Sequence, residues 1–225
     1  MREQNAVFCS LSLSRVNGRG SIFFADERRN FAMTPTLFDK TGNRKYLVAQ
    51  ERLAFVGAAL REDALVASFC VTLAITGARI SEALALSSER IDRGNEVIVF
   101  ETLKQRRRGV FRAVPVPPKL IKLVECTHDL SEQSKKLWPW GRTTAWKIVK
   151  DVMGAADVPD NFAMPKSLRH SFAVEAIQNG VPLNIVQRWL GHARLETTAI
   201  YAEVLGEEER CLARRAWNSL DSIML

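Results

Sequence analysis

Lys166-Ser167-Leu168-Arg169-His170-Ser171-Phe172-Ala173 opens the segment whose reading decides the fold. Helical spacing of apolar residues continues to about residue 179, where Gly180-Val181-Pro182 breaks the pattern. A helix is therefore expected over 167–179, with basic groups and a histidine at its start. Downstream, helices are expected over 182–190, 194–202 and 207–220, the first two separated by Gly191-His192. Upstream lie helical patterns over 118–126 and 142–153. Further back come 48–60, 64–75 and 79–86, the last two interrupted by Thr76-Gly77. Between these groups the periodicity changes. Glu96-Val97-Ile98-Val99-Phe100 and Val110-Phe111-Arg112-Ala113-Val114 are β-rich runs around a basic, glycine-containing segment, which predicts a hairpin ended by Pro115, Pro117 and Pro118. The expected class is α+β, mainly helical with one small antiparallel sheet. Residues 1 to about 45 are weakly patterned and read as an arm or a small appended element.

Composition narrows the function. The chain has 225 residues, 47% hydrophobic and 25% charged, which excludes collagen-like and largely disordered proteins. A chain of this length buries about 70% of its surface on folding and needs no disulfide or metal staple. Lys and Arg number 32 against 25 acids, a net charge of +7, and the pI is near 9.5. That balance favours a polyanionic partner, nucleic acid or an anionic membrane surface. The longest uncharged run, Ala64 to Ala78, falls short of the roughly 20 apolar residues a bilayer span needs and contains Ser68, Thr72 and Thr76. It reads as a buried helix. Met1 to Ser14 lacks the apolar core of a signal peptide. Cys9, Cys70, Cys126 and Cys211 are scattered and read as reduced packing residues of a cytoplasmic protein. His128, His170 and His192 are too few and too dispersed to suggest a zinc site.

The chemistry gathers at loop–helix junctions. Arg169 follows Lys166 in the decisive stretch. His192 lies in Leu190-Gly191-His192, and Tyr201 ends Thr197-Thr198-Ala199-Ile200-Tyr201. Upstream, Thr76-Gly77-Ala78-Arg79-Ile80-Ser81-Glu82 places an arginine just after a tight glycine turn. Backbone N–H groups at a helix start favour an anion, and an Arg fork adds bidentate recognition of phosphate. Taken singly, an arginine opening a helix is usually a surface residue and a tyrosine near a helix end is usually packing. The ordered combination is far harder to obtain by chance. Lys104-Gln105-Arg106-Arg107-Arg108 crowds the expected hairpin turn, and no acid occurs from Lys104 to Val124. A solvated turn accounts for it about as well as a phosphate-contacting ribbon.

These segments resemble the catalytic domain of the tyrosine recombinase (phage integrase) family. TGARISEAL, KSLRHSFA and LGHARLETTAIY carry the match, over roughly residues 46 to 205. The resemblance implies that Arg79 and Arg169 neutralise the non-bridging oxygens of a scissile phosphate in double-stranded DNA. It implies that Lys104 of the hairpin is the general acid for the leaving 5′ oxygen, Arg106 being a weaker claimant, and that His192 donates to the phosphate. Tyr201 becomes the nucleophile, Glu82 an acidic support of the site and His170 a histidine that braces it. Arg106, Arg107, Arg108 and Arg112 are expected to touch DNA phosphates. Apart from Tyr201 the chain has only Tyr46, which lies outside the junction cluster. No cluster of carboxylates suits magnesium, so metal-free transesterification without any cofactor is expected.

Two departures from the family pattern bear on function. Lys166 stands where most members have histidine, and it serves either as a base or as a further phosphate ligand, with the surrounding cations favouring the ligand. Only about 45 residues precede the matched region, too few for the usual N-terminal DNA clamp. That implies a minimal recombinase helped by its arm or by an accessory DNA-binding protein. Leu212, Ala216, Leu220, Ile223 and Met224 follow an acidic turn at Glu207-Glu208-Glu209 and predict an amphipathic helix, either folded back on its own domain or exchanged with a neighbour. In the family the corresponding segment, about 206–225, is exchanged between protomers, which implies a tetramer on paired DNA sites and a monomer when free. Three rivals remain open: a type IB topoisomerase, a DNA-binding regulator that has lost catalysis, and a basic structural domain.

Overall fold

The computed structural model describes residues 37–102, 109–131 and 135–203. Most of the expected arm, the basic turn residues Lys104, Arg106, Arg107 and Arg108, and the expected C-terminal exchange helix lie outside the described residues.

At the centre is α2 (Ala64–Thr76), almost every residue of which is buried. A helix apolar all round has no face to offer solvent and must be enclosed by neighbours. It is packed by α1 (Ala49–Ala59), α4 (Pro118–Thr127) and α6 (Pro165–Gln178). The Asp63 carboxylate caps its start, accepting from the Leu65 and Val66 amides at 2.9 and 3.0 Å. Its buried hydroxyls return to the helix: Thr72 donates to the Ser68 carbonyl and Thr76 to the Thr72 carbonyl, each at 2.7 Å. No described helix is long and apolar enough to cross a membrane. α2 ends at Gly77, whose φ of 61° is left-handed. A Cβ at Gly77 would stand 2.5 Å from Phe172 Cδ1 on α6, so glycine is required both for the turn and for the approach of the two helices.

The turn leads into α3, which is one turn long (Ile80–Ala83) rather than reaching residue 86. A 3-10 turn at Ser88–Arg90 then feeds a sheet of three antiparallel strands in the order β1-β2-β3. β2 (Val97–Glu101) and β3 (Phe111–Pro115) are the expected hairpin, in a register that pairs Ile98 with Val114 and Phe100 with Arg112. β1 (Ile91–Asp92) is a two-residue strand too short to register as a sequence pattern. Ile98, Phe100 and Val114 face the main core.

Residues after the sheet are helical as expected, with α5 (Arg142–Ala155), α6, α7 (Leu183–Leu190) and α8 (Glu196–Ala199) in order. The expected helix over 194–202 is instead the single turn α8 followed by a 3-10 turn, Ile200–Glu203. A second apolar cluster joins Phe172, Ala173 and Val174 of α6 to Val186 and Leu190 of α7 and to Ile200 and Tyr201. Leu37, fully buried, belongs to this cluster, and Arg44 makes a bidentate ion pair with Glu51 of α1 at 2.6 Å per bond. The packed body therefore begins before residue 46. Ser171 of α6 fixes the same segment by accepting from the Leu47 amide at 2.7 Å.

Gly77→Ala combines a left-handed backbone with a clash against Phe172. It is expected to lower stability by roughly 2 kcal/mol, read as a lower urea midpoint with an unchanged slope.

Candidate active site

One buried carboxylate organises the site. Glu82 lies three residues after Arg79 across one helical turn, so its side chain returns to the start of α3. It accepts from the Arg79 amide at 3.0 Å and from Arg79 Nη1 at 2.6 Å. Its second oxygen also accepts from Arg112 Nη2 at 2.7 Å. The Glu82 side chain is fully enclosed, that of Arg112 nearly so, and that of Arg79 is 22% exposed. Burial alone would raise the Glu82 pKa, but Arg112 and Arg79 outweigh it and hold it below the usual carboxylate range.

Arg112 corrects a sequence expectation. It does not present its guanidinium to a DNA backbone: Nε donates to the Trp189 carbonyl at 2.7 Å, Nη1 to Thr102 Oγ1 at 3.3 Å, and Nη2 to Glu82. The reason is strand alternation. Arg112 shares its face of β3 with the buried Val114, while Phe111 and Ala113 point outward. The sequence does not reveal this, because the run has apolar residues on both faces and only packing decides which one turns inward.

Arg169, on the second turn of α6, is 7% exposed and held by two backbone carbonyls. Nη1 donates to Gly77 O at 2.7 Å and Nη2 to Leu190 O at 2.6 Å. Both carbonyls lie at helix ends, where they lack intrahelical partners and where the helix dipole favours a cation. Gly77 and Gly191, the latter at φ 66°, turn the chain left-handed at these ends. Burial first, and then Arg79, push the Arg169 pKa down to about 9, so the group stays charged at neutral pH. The three guanidiniums thus face one carboxylate, which leaves a surplus of two positive charges in a largely enclosed volume.

His192 follows Gly191, and its Nδ1 lies 2.9 Å from the Thr198 hydroxyl. Burial, Arg169 and Arg79 depress its pKa to about 3, so the ring is neutral. In the tautomer where Nδ1 accepts from that hydroxyl, Nε2 carries the hydrogen and can donate. A groove of about 310 Å³ between β3 and α7 reaches His192, lined also by Thr102, Phe111, Arg112, Gln187 and Arg188. Tyr201 is 1% exposed. Its ring stacks on His192 at 6.4 Å and 11°, and its hydroxyl lies 2.9 Å from His170 Nδ1. Burial pushes the Tyr201 pKa up to about 12, against the pull of Arg169 and Arg79.

The structure therefore brings together Arg79, Glu82, Arg169, His170, His192 and Tyr201, all predicted from the sequence, and adds Arg112, Thr102 and Thr198. Lys166 stands exposed on the first turn of α6. The backbone carbonyls that grip Arg169 and Arg112 leave no trace in the residue pattern, since any residue type supplies them.

Fold and site together define a mainly helical domain that gathers three arginines and two histidines around a buried tyrosine. The sequence model of the phage integrase family matches residues 46–208, and the chain belongs to that family. It is 31% identical over 159 residues to the tyrosine recombinase XerA of Pyrococcus furiosus, covering 66% of this chain and 53% of that protein. It is 35% identical over 140 residues to a tyrosine recombinase XerD of Neisseria meningitidis, covering 57% of this chain and 47% of that one. The chain thus spans about half the length of these relatives. Its fold is that of the XerA recombinase crystal structure, with a TM-score of 0.62 at 23% identity over 83% of this chain and 66% of that one. It is also that of the catalytic domain of bacteriophage HP1 integrase, with a TM-score of 0.57 at 20% identity over 78% of this chain and 96% of that one.

Glu82→Gln leaves Arg112 buried without a counter-charge and is expected to cost about 3 kcal/mol. Because the folded-state pKa of Glu82 is depressed, its contribution is present above the unfolded carboxylate pKa and lost as pH falls through the lower folded value. Urea midpoints of the variant and the native chain should therefore differ at pH 7 and converge as the pH falls through the depressed folded-state value of Glu82.

Proposed function

We propose that the chain is the catalytic part of a site-specific DNA recombinase that cuts and rejoins strands through a covalent 3′-phosphotyrosyl bond at Tyr201, without metal or ATP. The observation that carries this reading is a buried tyrosine inside an excess of fixed positive charge. A phosphodiester repels an attacking oxygen until its own charge is neutralised, and its pentacovalent transition state carries one more negative charge than the ground state. A surplus of two positive charges matches that state, and preorganised donors in a dry site stabilise it strongly. Without DNA, Tyr201 stays protonated and unreactive.

In this reaction Arg79 and Arg169 take the non-bridging oxygens and His192 donates through Nε2. Glu82 and Arg112 hold Arg79 and the end of α7 in place. The Tyr201 oxygen bonds to phosphorus, the bond to the 5′ oxygen breaks, and Lys104 protonates the leaving oxygen. The phosphotyrosyl ester conserves the bond energy, so a 5′-hydroxyl of another strand can reseal it. Lys166 serves as a phosphate ligand from the exposed start of α6, and Arg106, Arg107 and Arg108 contact flanking phosphates. Support comes from the relatives, named as Xer tyrosine recombinases, and from a neighbouring fold, XerH bound to its difH substrate, with a TM-score of 0.59. We further propose a tetramer on paired DNA sites through residues 206–225, assistance from an accessory DNA-binding protein, and a cytoplasmic location beside the DNA.

Labelled duplex from the gene's own locus, incubated with the protein in EDTA, should give a covalent adduct on a denaturing gel. Tyr201→Phe should abolish it while DNA binding persists. Arg169→Lys, which cannot hold both carbonyls and a phosphate, should slow adduct formation about 100-fold or more. Binding with no adduct on any such duplex would make the protein a DNA-binding regulator instead.

A further inference from the structure

His170 is a buried titratable group that phosphate binding leaves unused. Its Nδ1 lies 2.9 Å from the Tyr201 hydroxyl, with ring centroids 5.6 Å apart. Its Nε2 is, alone among the buried side-chain nitrogen and oxygen atoms of the described residues, without a hydrogen-bond partner. An imidazole retained in the core with one nitrogen orphaned calls for an explanation beyond packing. The other candidate acceptors for the tyrosine proton fit poorly. The His192 ring lies parallel to the Tyr201 ring with centroids 6.4 Å apart, and its Nδ1 is engaged by Thr198. Lys166 is exposed, and an ammonium has donors but no lone pair.

We infer that His170 is the catalytic base of strand cleavage, accepting the Tyr201 proton on Nδ1 as the phenol oxygen bonds to phosphorus; this rests on the proposed recombinase reaction. The tyrosine O–H bond breaks as the oxygen–phosphorus bond forms, and Nδ1 gains the proton, giving an imidazolium. The bond from phosphorus to the 5′ oxygen breaks, and that oxygen leaves with the proton of Lys104. On rejoining, the attacking 5′-hydroxyl returns its proton to the lysine, and Nδ1 returns its proton to the departing phenol. The assignment requires the tautomer with hydrogen on Nε2, the nitrogen that lacks a partner.

The surroundings make this base conditional on substrate. Burial, then Lys166, Arg169 and Lys45, hold the His170 pKa down to about 4, so the resting pair of His170 and Tyr201 is neutral on both sides. A phosphodiester seated between Arg79 and Arg169 brings a negative charge that offsets the cationic field and strengthens the base. Among the described residues no carboxylate backs Nε2, so none of them strengthens the imidazole enough to draw the proton off before DNA arrives.

The test is single-turnover adduct formation on a nicked duplex with a 5′-bridging phosphorothiolate at the scissile position mapped with the native protein. The sulfur leaves without an acid, so the rate reports activation of the nucleophile alone. His170→Asn keeps a hydrogen-bonding atom near Nδ1 but cannot take a proton. Its rate is expected to fall about 100-fold or more at unchanged DNA affinity, and imidazole in the buffer should restore part of the rate of His170→Gly. A His170→Asn rate within a few-fold of native would overturn the inference while leaving the recombinase reading intact. Absence of an adduct with the native protein would overturn both. Should the variants not fold, nitrogen NMR of ¹⁵N-histidine-labelled native protein decides the matter. Hydrogen on Nε2 supports the base, and hydrogen on Nδ1 excludes it.

Discussion

The Glu82 carboxylate, fully enclosed and bonded to Arg79 and Arg112, is the contact on which the rest of the site depends. Through it the turn after α2 is tied to β3, and through the Arg112 contact with the Trp189 carbonyl β3 is tied to α7. Arg169 closes the circuit by joining α6 to the ends of α2 and α7. A buried charge is tolerable only when paired and hydrogen-bonded. These mutual demands fix four separate segments within one small volume, and a displacement of any one would strand a charge in the others.

The same arrangement is deliberately unbalanced. One carboxylate cannot neutralise three guanidiniums, and burial together with Arg79 and Arg112 depresses the proton affinity of Arg169. In the proposed reaction a phosphate relieves that residual strain, so the energy of placing like charges together in the folded chain becomes affinity for it and for the more highly charged state that follows. Tyr201 shares the enclosure but stays protonated, because burial outweighs the pull of Arg169 and Arg79. Stability and reactivity draw on one set of contacts.

Much of this was legible in the residue order. Arg79, Glu82, Arg169, His192 and Tyr201 were recognisable from their motifs, and the helices and hairpin followed from periodicity and from the breaks at Gly77, Gly180 and Gly191. Strand β1 was not legible, since two residues carry no period. The helix expected over 194–202 shrank to one turn because Ile200 and Tyr201 are drawn into the second apolar cluster, and the tighter 3-10 geometry turns the tyrosine inward. Arg112 was read as a surface contact because its strand is apolar on both faces in sequence, and the carboxylate that pairs it lies thirty positions away.

The sequence alone determined the inventory: which charged and nucleophilic groups exist, which helices carry them, and a basic excess suited to a polyanion. Those properties are local, set by side-chain chemistry and by spacing along the chain. Tertiary structure decided which cations face the carboxylate, which backbone carbonyls hold Arg169, and that the hydroxyl of Tyr201 meets His170 across thirty-one positions of sequence. Such contacts join residues far apart in the chain, and their direction is set by how helices and strands pack around α2, information that no single segment contains.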